Sequence, residues 1–401
     1  MIKQQSSIPI AAAPLRLPFL DGLRAFAALW VVFGHSHLFG LGWTRSGSLW
    51  GRPLDLLLYS HLGVNVFLVL SGFCLALPVV RNANRLPATA DYFKARAWRI
   101  LPPYYAALLL ILLLNTFWPV AEWGHHVVPM TPEIPWPVLA TNLLLLQDVF
   151  PQLNSINGPF WSIATEWHLY FVFPALVWVL RRFGTGALLL CGSAAAFGLT
   201  WLGFTHPAII APLTLPQPTY FIVLFVMGAA SASFAFDPRF AASRQRLYRT
   251  GWLVGAALCV PLCLLLWKYR IVDQNNIWDF LNHLHLIDPL CGAVTAAWLL
   301  GLCGTRPTHW LRRFLESRVL VWIGGFSYSL YLTHVPILGA LNHQLEDAGM
   351  IRDAPLTSFF LLALTGATVC LAFAWGFAKL FERRYRGRKR PVGAGKLCQA
   401  A

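Results

Sequence analysis

Pro18-Phe19-Leu20-Asp21-Gly22-Leu23-Arg24-Ala25-Phe26-Ala27-Ala28-Leu29-Trp30-Val31-Val32-Phe33-Gly34-His35-Ser36-His37-Leu38-Phe39 is the stretch whose reading decides the fold. It is apolar over a length that, as a helix, crosses a hydrocarbon layer of about 30 Å. Nine further windows of similar character follow at 57–80, 100–118, 161–180, 186–204, 218–236, 251–268, 287–303, 319–340 and 356–380. The expected fold is therefore all-α, a polytopic membrane bundle of about ten transmembrane helices. Residues 136–150 are also apolar, but the run is short and ends in Gln147-Asp148. That segment is expected to be re-entrant or interfacial.

Composition supports the same class. The apolar set makes up 57% of the 401 residues and charged residues only 12%, about half the charge fraction of a soluble domain. Too few charges remain to clothe a globule, and disordered chains and coiled coils are excluded on the same ground. An outer-membrane barrel needs alternating apolar and polar residues, and runs such as Ala106–Leu114 do not alternate. The eight cysteines form no CxxC pair and no zinc-like spacing with histidine, so they read as small buried apolar residues and no metal is expected.

The net charge of +15 comes from 31 Lys+Arg against 16 Asp+Glu. With the N-terminus placed inside, 24 of the basic residues fall in inner loops and tail and five in outer loops. That asymmetry puts both termini in the cytoplasm and accounts for the charge without nucleic acid as a partner. The expected organisation is a cytoplasmic segment at 1–17 that does not read as a signal peptide, one membrane domain at 18–382 and a basic cytoplasmic tail at 383–401. The lipid bilayer is the first partner, and the tail Arg383–Arg390 reads as an anionic-lipid contact.

Ionisable side chains inside such spans are costly and mark function. Eleven residues separate Arg24 from His35, three helical turns plus about 20°, so both share one face about 16 Å apart. With the orientation above, His35, Glu166 and His334 fall at one level near the outer surface. A carboxylate there needs a partner, and Glu166 with His35 or His334 is expected to form a dyad of the general-base type. At the inner end Arg96 and Arg99 project from one face of the third span at i,i+3. Paired guanidinium groups suit phosphate. A phosphate-bearing donor, of the shape of a phosphopantetheine thioester, would dock there and run past Arg24 to His35 and Glu166.

The run Leu20–His35, with Arg24, ten residues and then His35, resembles the opening motif of the acyltransferase-3 family of bacterial membrane O-acyltransferases. Gly63-Val64-Asn65-Val66-Phe67 through Ser71-Gly72-Phe73 resembles the family's second segment, with Asn65 in the place of its usual acidic residue. Arg96-Ala97-Trp98-Arg99-Ile100-Leu101-Pro102 resembles its Arg-x-x-Arg stretch. Trp161-Ser162-Ile163-Ala164-Thr165-Glu166 resembles its Trp-Ser…Glu segment, and Phe326–Pro336, with Tyr328, Tyr331 and His334, its late segment. Order and spacing hold from residue 18 to about 385.

The resemblance implies a ten-helix enzyme that moves an acyl group, usually acetyl, from cytoplasmic acyl-CoA to a hydroxyl of a glycan or lipid-linked sugar beyond the bacterial inner membrane. His35 would be the essential histidine, as base or as acyl carrier, with Arg24 its partner. Arg96, Arg99 and Arg24 would meet the donor. Ser71, Trp161, Ser162, Tyr328 and Tyr331 would line the substrate side. Other envelope polysaccharide enzymes are expected neighbours, and O-antigen, capsule, exopolysaccharide, an oligosaccharide signal and a macrolide sugar are all candidate acceptors. Two other classes stand beside this one. One is a transporter of a glycan or anionic substrate using Arg24, His35 and Glu166 as a relay, although the inverted repeats often seen in transporters are not evident. The other is a non-catalytic partner in polysaccharide export. His283 with Asp288 has the spacing of glycerolipid acyltransferases, but falls on the outer side, away from acyl-CoA. His125-His126 beside Glu122 is a weak metal candidate.

Overall fold

The computed structural model describes residues 16–42, 53–117, 134–150, 156–205, 220–273, 276–350 and 355–382. Among them all regular structure is helical. The helices are α1 (Pro18–Leu41), α2 (His61–Arg81, preceded by a 3-10 turn at Leu54–Tyr59), α3 (Thr89–Phe117), α4 (Trp136–Leu143) and α5 (Phe160–Thr205). There follow α6 (Phe221–Phe236), α7 (Arg244–Lys268), α8 (Ile277–Asn282), α9 (Leu284–Cys303), α10 (Trp310–Leu315), α11 (Arg318–Gly324), α12 (Ser327–Asp347) and α13 (Pro355–Phe377), which ends in a π turn at Ala378–Glu382.

The expected windows fall on these helices. Windows 161–180 and 186–204 are the two arms of α5, whose 46 residues are broken by Gly184 at φ 89°. Unbroken, that helix would run about 69 Å, twice the hydrocarbon thickness. Window 319–340 is divided between α11 and α12 at Gly325-Phe326. Six helices (α2, α3, α5, α7, α9 and α13) are long and apolar enough to cross a membrane. Helices α1 and α12, which carry Arg24, His35, Tyr328, Tyr331 and His334, stand outside that six. Helix α4 is only eight residues long, as the short 136–150 segment leads one to expect. The turn after it is buried: Gln147 donates to the Tyr104 hydroxyl and the Phe160 carbonyl.

Burial separates centre from rim. The apolar window of α2 is 78% buried, that of α7 11%. Leu253, Val260, Leu264 and Trp267 of α7 stand exposed, an apolar face that suits lipid rather than water. The central helices approach closely through glycine. A Cβ on Gly72 would overlap the Phe225 carbonyl of α6, and one on Gly228 the Val69 carbonyl of α2. Helix α1 is seated in the same way, with Gly22 against the Leu315 carbonyl and Gly324 against that of Asp21. Such small-residue contacts are the usual means of helix association where lipid removes the hydrophobic drive.

Loops assigned to one side by charge meet each other. Asn84, after α2, donates to Asp237, after α6, at 3.0 Å. Tyr59, before α2, accepts from the Ile271 amide, after α7, at 3.2 Å.

Gly228→Ala should lower the melting temperature of the detergent-solubilised protein, since overpacking a close contact costs about 1–3 kcal/mol. Gly376→Ala, where an added Cβ meets nothing within 4 Å, should leave it unchanged or raise it slightly. Equal effects at the two positions would contradict the packing argument.

Candidate active site

Helices α1, α2, α3, α5 and α12 enclose one cavity. Its walls carry Arg24 from α1, Ser71 from α2, Arg99 from α3, Ser162 and Glu166 from α5, and Tyr328 and Tyr331 from α12. Val64, Phe67, Leu68, Ile163 and Ser327 complete it. Its volume is about 60 Å³, room for several waters where ~10–15 Å³ holds one.

Glu166 is held by two hydroxyls. Ser71 donates to its Oε1 at 2.7 Å across the α2–α5 contact, and Tyr170, one turn along α5, at 2.6 Å. Arg24 donates from Nη1 to Asp21 at 2.9 Å and from Nη2 to the Cys74 sulfur at 3.0 Å. Arg99 is in electrostatic reach of Glu166 and Glu382, and Glu382 accepts from Ser329 at 2.6 Å. Arg96 is 6% exposed, and its Nε and Nη1 have no hydrogen-bond partner. Its guanidinium lies 5.9 Å from the centre of the Tyr170 ring. The Arg pair thus converges on Tyr170, next to Glu166.

His35 and His334 form a pair at the other end. The His334 Nε2 lies 3.3 Å from the His35 Nδ1, with ring centres 4.8 Å apart. Each ring also has one nitrogen on a backbone carbonyl: His35 Nδ1 on Val31 at 2.9 Å and His334 Nδ1 on Tyr331 at 2.8 Å. A carbonyl only accepts, so both Nδ1 atoms carry the proton. His334 Nε2 then takes a share of the His35 Nδ1–H, and His35 Nε2 keeps its lone pair. That is a neutral imidazole oriented from behind, ready to take a proton or attack a carbonyl.

The expected dyad of Glu166 with His35 or His334 does not form: Glu166 is bonded to Ser71 and Tyr170, and His35 to Val31 and His334. His334 is one turn beyond Tyr331 on α12, and Tyr331 meets Ser162 at 2.8 Å. Glu166 is one turn from Ser162 in the opposite direction. By helical rise this separates Glu166 from the imidazole pair by about 10 Å. Glu166 instead shares the cavity with Arg24 and Arg99.

The other expected residues fall into place individually. Ser71, Ser162, Tyr328 and Tyr331 line the cavity, and Tyr328 donates to the Ile100 carbonyl of α3 at 3.2 Å. Trp161 does not; its ring stacks on His61 and Phe221. His283 stacks on Tyr269 with ring centres 3.7 Å apart, and Asp288 is turned away from it toward His61. His125-His126 and the tail 383–401 lie outside the described residues, among which no metal-binding cluster occurs. Tyr170, Cys74 and Glu382 were not anticipated. Tyr170 was within reach of helical spacing, at i+4 from Glu166.

A family model described as an acyltransferase domain, Acyl_transf_3, matches residues 17–378. The chain belongs to the acyltransferase-3 family. This acyltransferase is 25% identical over 406 residues to the acyltransferase MdmB of Streptomyces mycarofaciens, covering 94% of each chain. It is 21% identical over 344 residues to the peptidoglycan O-acetyltransferase OatA of Listeria monocytogenes, where the match covers 82% of this chain and 50% of the relative. The chain thus corresponds to about half the length of that second relative. No solved structure matches.

Ser71→Ala and Tyr170→Phe each remove one of the two donors to Glu166. Each should destabilise the acyltransferase by about 1–3 kcal/mol, read as a lower melting temperature in detergent. The double variant should depart from additivity, because both bonds end on one oxygen.

Proposed function

We propose that this membrane acyltransferase moves an acyl group, in the first instance acetyl, from cytoplasmic acyl-CoA to a hydroxyl of a glycan or lipid-linked sugar on the far side of the inner membrane. The observation that carries this reading is the fixed tautomer of His35, which leaves Nε2 with its lone pair at one end of a line of polar groups. Arg96, whose buried Nε and Nη1 have no hydrogen-bond partner, lies against Tyr170, the residue that donates to Glu166.

A buried guanidinium with two unsatisfied nitrogens is costly, and the oxygens of phosphate groups are acceptors that would satisfy them. Arg96 and Arg99 would therefore take the donor's phosphates. The pantetheine arm would follow the cavity past Arg24, Glu166 and Tyr328. Its thioester carbonyl would then stand near His35. Arg24, held by Asp21, supplies fixed positive charge along that path. Glu166, held by Ser71 and Tyr170, balances Arg24 and Arg99 and is a positioning group for the donor rather than the partner of His35. His334 orients His35 by accepting part of its Nδ1 proton. His35 Nε2 serves as the basic nitrogen of the transfer, either removing a proton or carrying the acyl group. A hydroxyl acceptor, as opposed to water, requires a site from which water is kept out, and the apolar walls of Val64, Phe67, Leu68 and Ile163 suit that need.

Membranes carrying this protein, given acetyl-CoA labelled in the acetyl group, should transfer label to envelope glycan. His35→Ala should lower that transfer by about 10²–10⁴-fold, the range of general acid–base catalysis, with donor affinity retained. Arg96→Ala and Arg99→Ala should weaken donor binding tenfold or more. Loss of donor affinity in His35→Ala, or undiminished transfer, would overturn these roles.

A further inference from the structure

A histidine–carboxylate pair lies outside the residues assigned above. Asp288 of α9 is 0% exposed. Three donors converge on it: His61 Nε2 at 2.9 Å and Asn65 Nδ2 at 2.8 Å, both from α2, and the Tyr220 hydroxyl at 3.1 Å. A carboxylate taken wholly out of solvent is expensive even when paired, and an apolar residue of like volume would serve packing better. Three hydrogen bonds explain how the charge is tolerated. They do not explain why it is there.

His61 supplies the reason. It is the first residue of α2, and its side chain is 24% exposed while Asp288 beneath it is sealed. With Nε2–H committed to Asp288, Nδ1 carries the lone pair. The ring is flanked by Trp161, with centres 5.7 Å apart and planes at 21°, and by Phe221 at 6.4 Å. A carboxylate behind an imidazole, fixing its tautomer and stabilising its protonated form, is the arrangement of a general base.

Its position fits that role. His61 continues the face of α2 that lines the cavity through Val64, Leu68 and Ser71. At the end of α2 where it starts, α1 and α2 touch, because a Cβ on Gly34 would overlap the Ser60 side chain. His35 follows Gly34 and His61 follows Ser60, so both imidazoles flank one helix crossing. Trp161, the neighbour of His61, precedes Ser162, which is bonded to Tyr331, and Tyr331 lies against His334 with ring centres 5.7 Å apart.

We infer that His61, oriented by Asp288, is the base that deprotonates the acceptor hydroxyl. This rests on the acyl transfer proposed above and assigns its acceptor side. The acceptor O–H gives its proton to His61 Nδ1 as its oxygen bonds to the acyl carbonyl carbon. The bond from that carbon to its carrier, the thioester sulfur or His35 Nε2, breaks, and the electron pair leaves with the carrier. His61 then returns the proton to the departing thiolate or to solvent. Asp288, Asn65 and Tyr220 are positioning groups.

The test uses the full-length protein in membranes with labelled acetyl-CoA, measuring label reaching envelope glycan and, separately, acetyl-CoA binding. His61→Gln keeps a donor for Asp288 but cannot take a proton at this pH. It should lower transfer by about 10²–10⁴-fold, with acetyl-CoA binding and melting temperature unchanged. His61→Ala should be equally impaired, and added imidazole should restore part of its rate, an effect that loss of a packing residue would not give. Asp288→Glu should retain more transfer than Asp288→Asn. Transfer within threefold of the wild type in His61→Gln, or His61→Ala that imidazole does not rescue, overturns the assignment. A wild-type protein that passes no label overturns the donor reading and takes this inference with it, whereas a working wild type with an unaffected His61→Gln overturns this inference alone.

Discussion

A polar side chain in the middle of an apolar bundle has to be met by a partner from another helix, and the centre of this protein is organised by that requirement. Glu166 of α5 is met by Ser71 of α2. Arg24 of α1 is met by Cys74 of α2. His35 of α1 is met by His334 of α12, and Asp288 of α9 by His61 and Asn65 of α2. Each bond is short only if the helices carrying it are close, and the bundle around them is drawn tight by glycine: α1 against the start of α2 at Gly34, α2 against α6 at Gly72 and Gly228, and α1 against α10 and α11 at Gly22 and Gly324. Packing and chemistry are therefore not separable here. A helix displaced by one methyl group would strand a charge as well as open a gap.

Helix α2 has a special place in this scheme. It is the most buried of the six long apolar helices, and it supplies a partner to the carboxylates on α5 and α9 and to the guanidinium on α1. The donor path and the acceptor base proposed for this enzyme are both attached to it. The rim helices carry none of this. Helix α7 presents leucine, valine and tryptophan outward, and its residues are answerable to lipid rather than to the site.

Much of this was legible in the chain. The apolar windows located the helices, including the break near residue 184, because burial in lipid is a property of composition over a length of about 20 residues. Arg24 and His35 were found as polar intruders, and their shared helix face is intrinsic to one helix. Relations between helices were not legible. Equal residue counts from the ends of spans placed Glu166 beside His35, whereas the packing of the helices gives it Ser71 and Tyr170 as partners and a cavity shared with Arg24 and Arg99. His61 was missed because its carboxylate partner arrives from 227 residues further along the chain, and only the fold brings the two together. Asp288 was read only as a companion of His283, its near neighbour in the chain, when its partners lie on α2 and at Tyr220. Asn65 stood out as an amide where an acid is usual, and its meaning needed the fold: it donates to a carboxylate that arrives from 223 residues further along.

That last bond carries a constraint on how this sequence can drift. Were residue 65 acidic while Asp288 stayed, two negative groups would stand within about 3 Å in a sealed apolar setting, where one of them could persist only by holding a proton. Were Asp288 apolar while Asn65 stayed, three donors would point at nothing. The two positions can therefore change together more readily than apart, and one negative charge can pass from α9 to α2 while His61 keeps a carboxylate behind it.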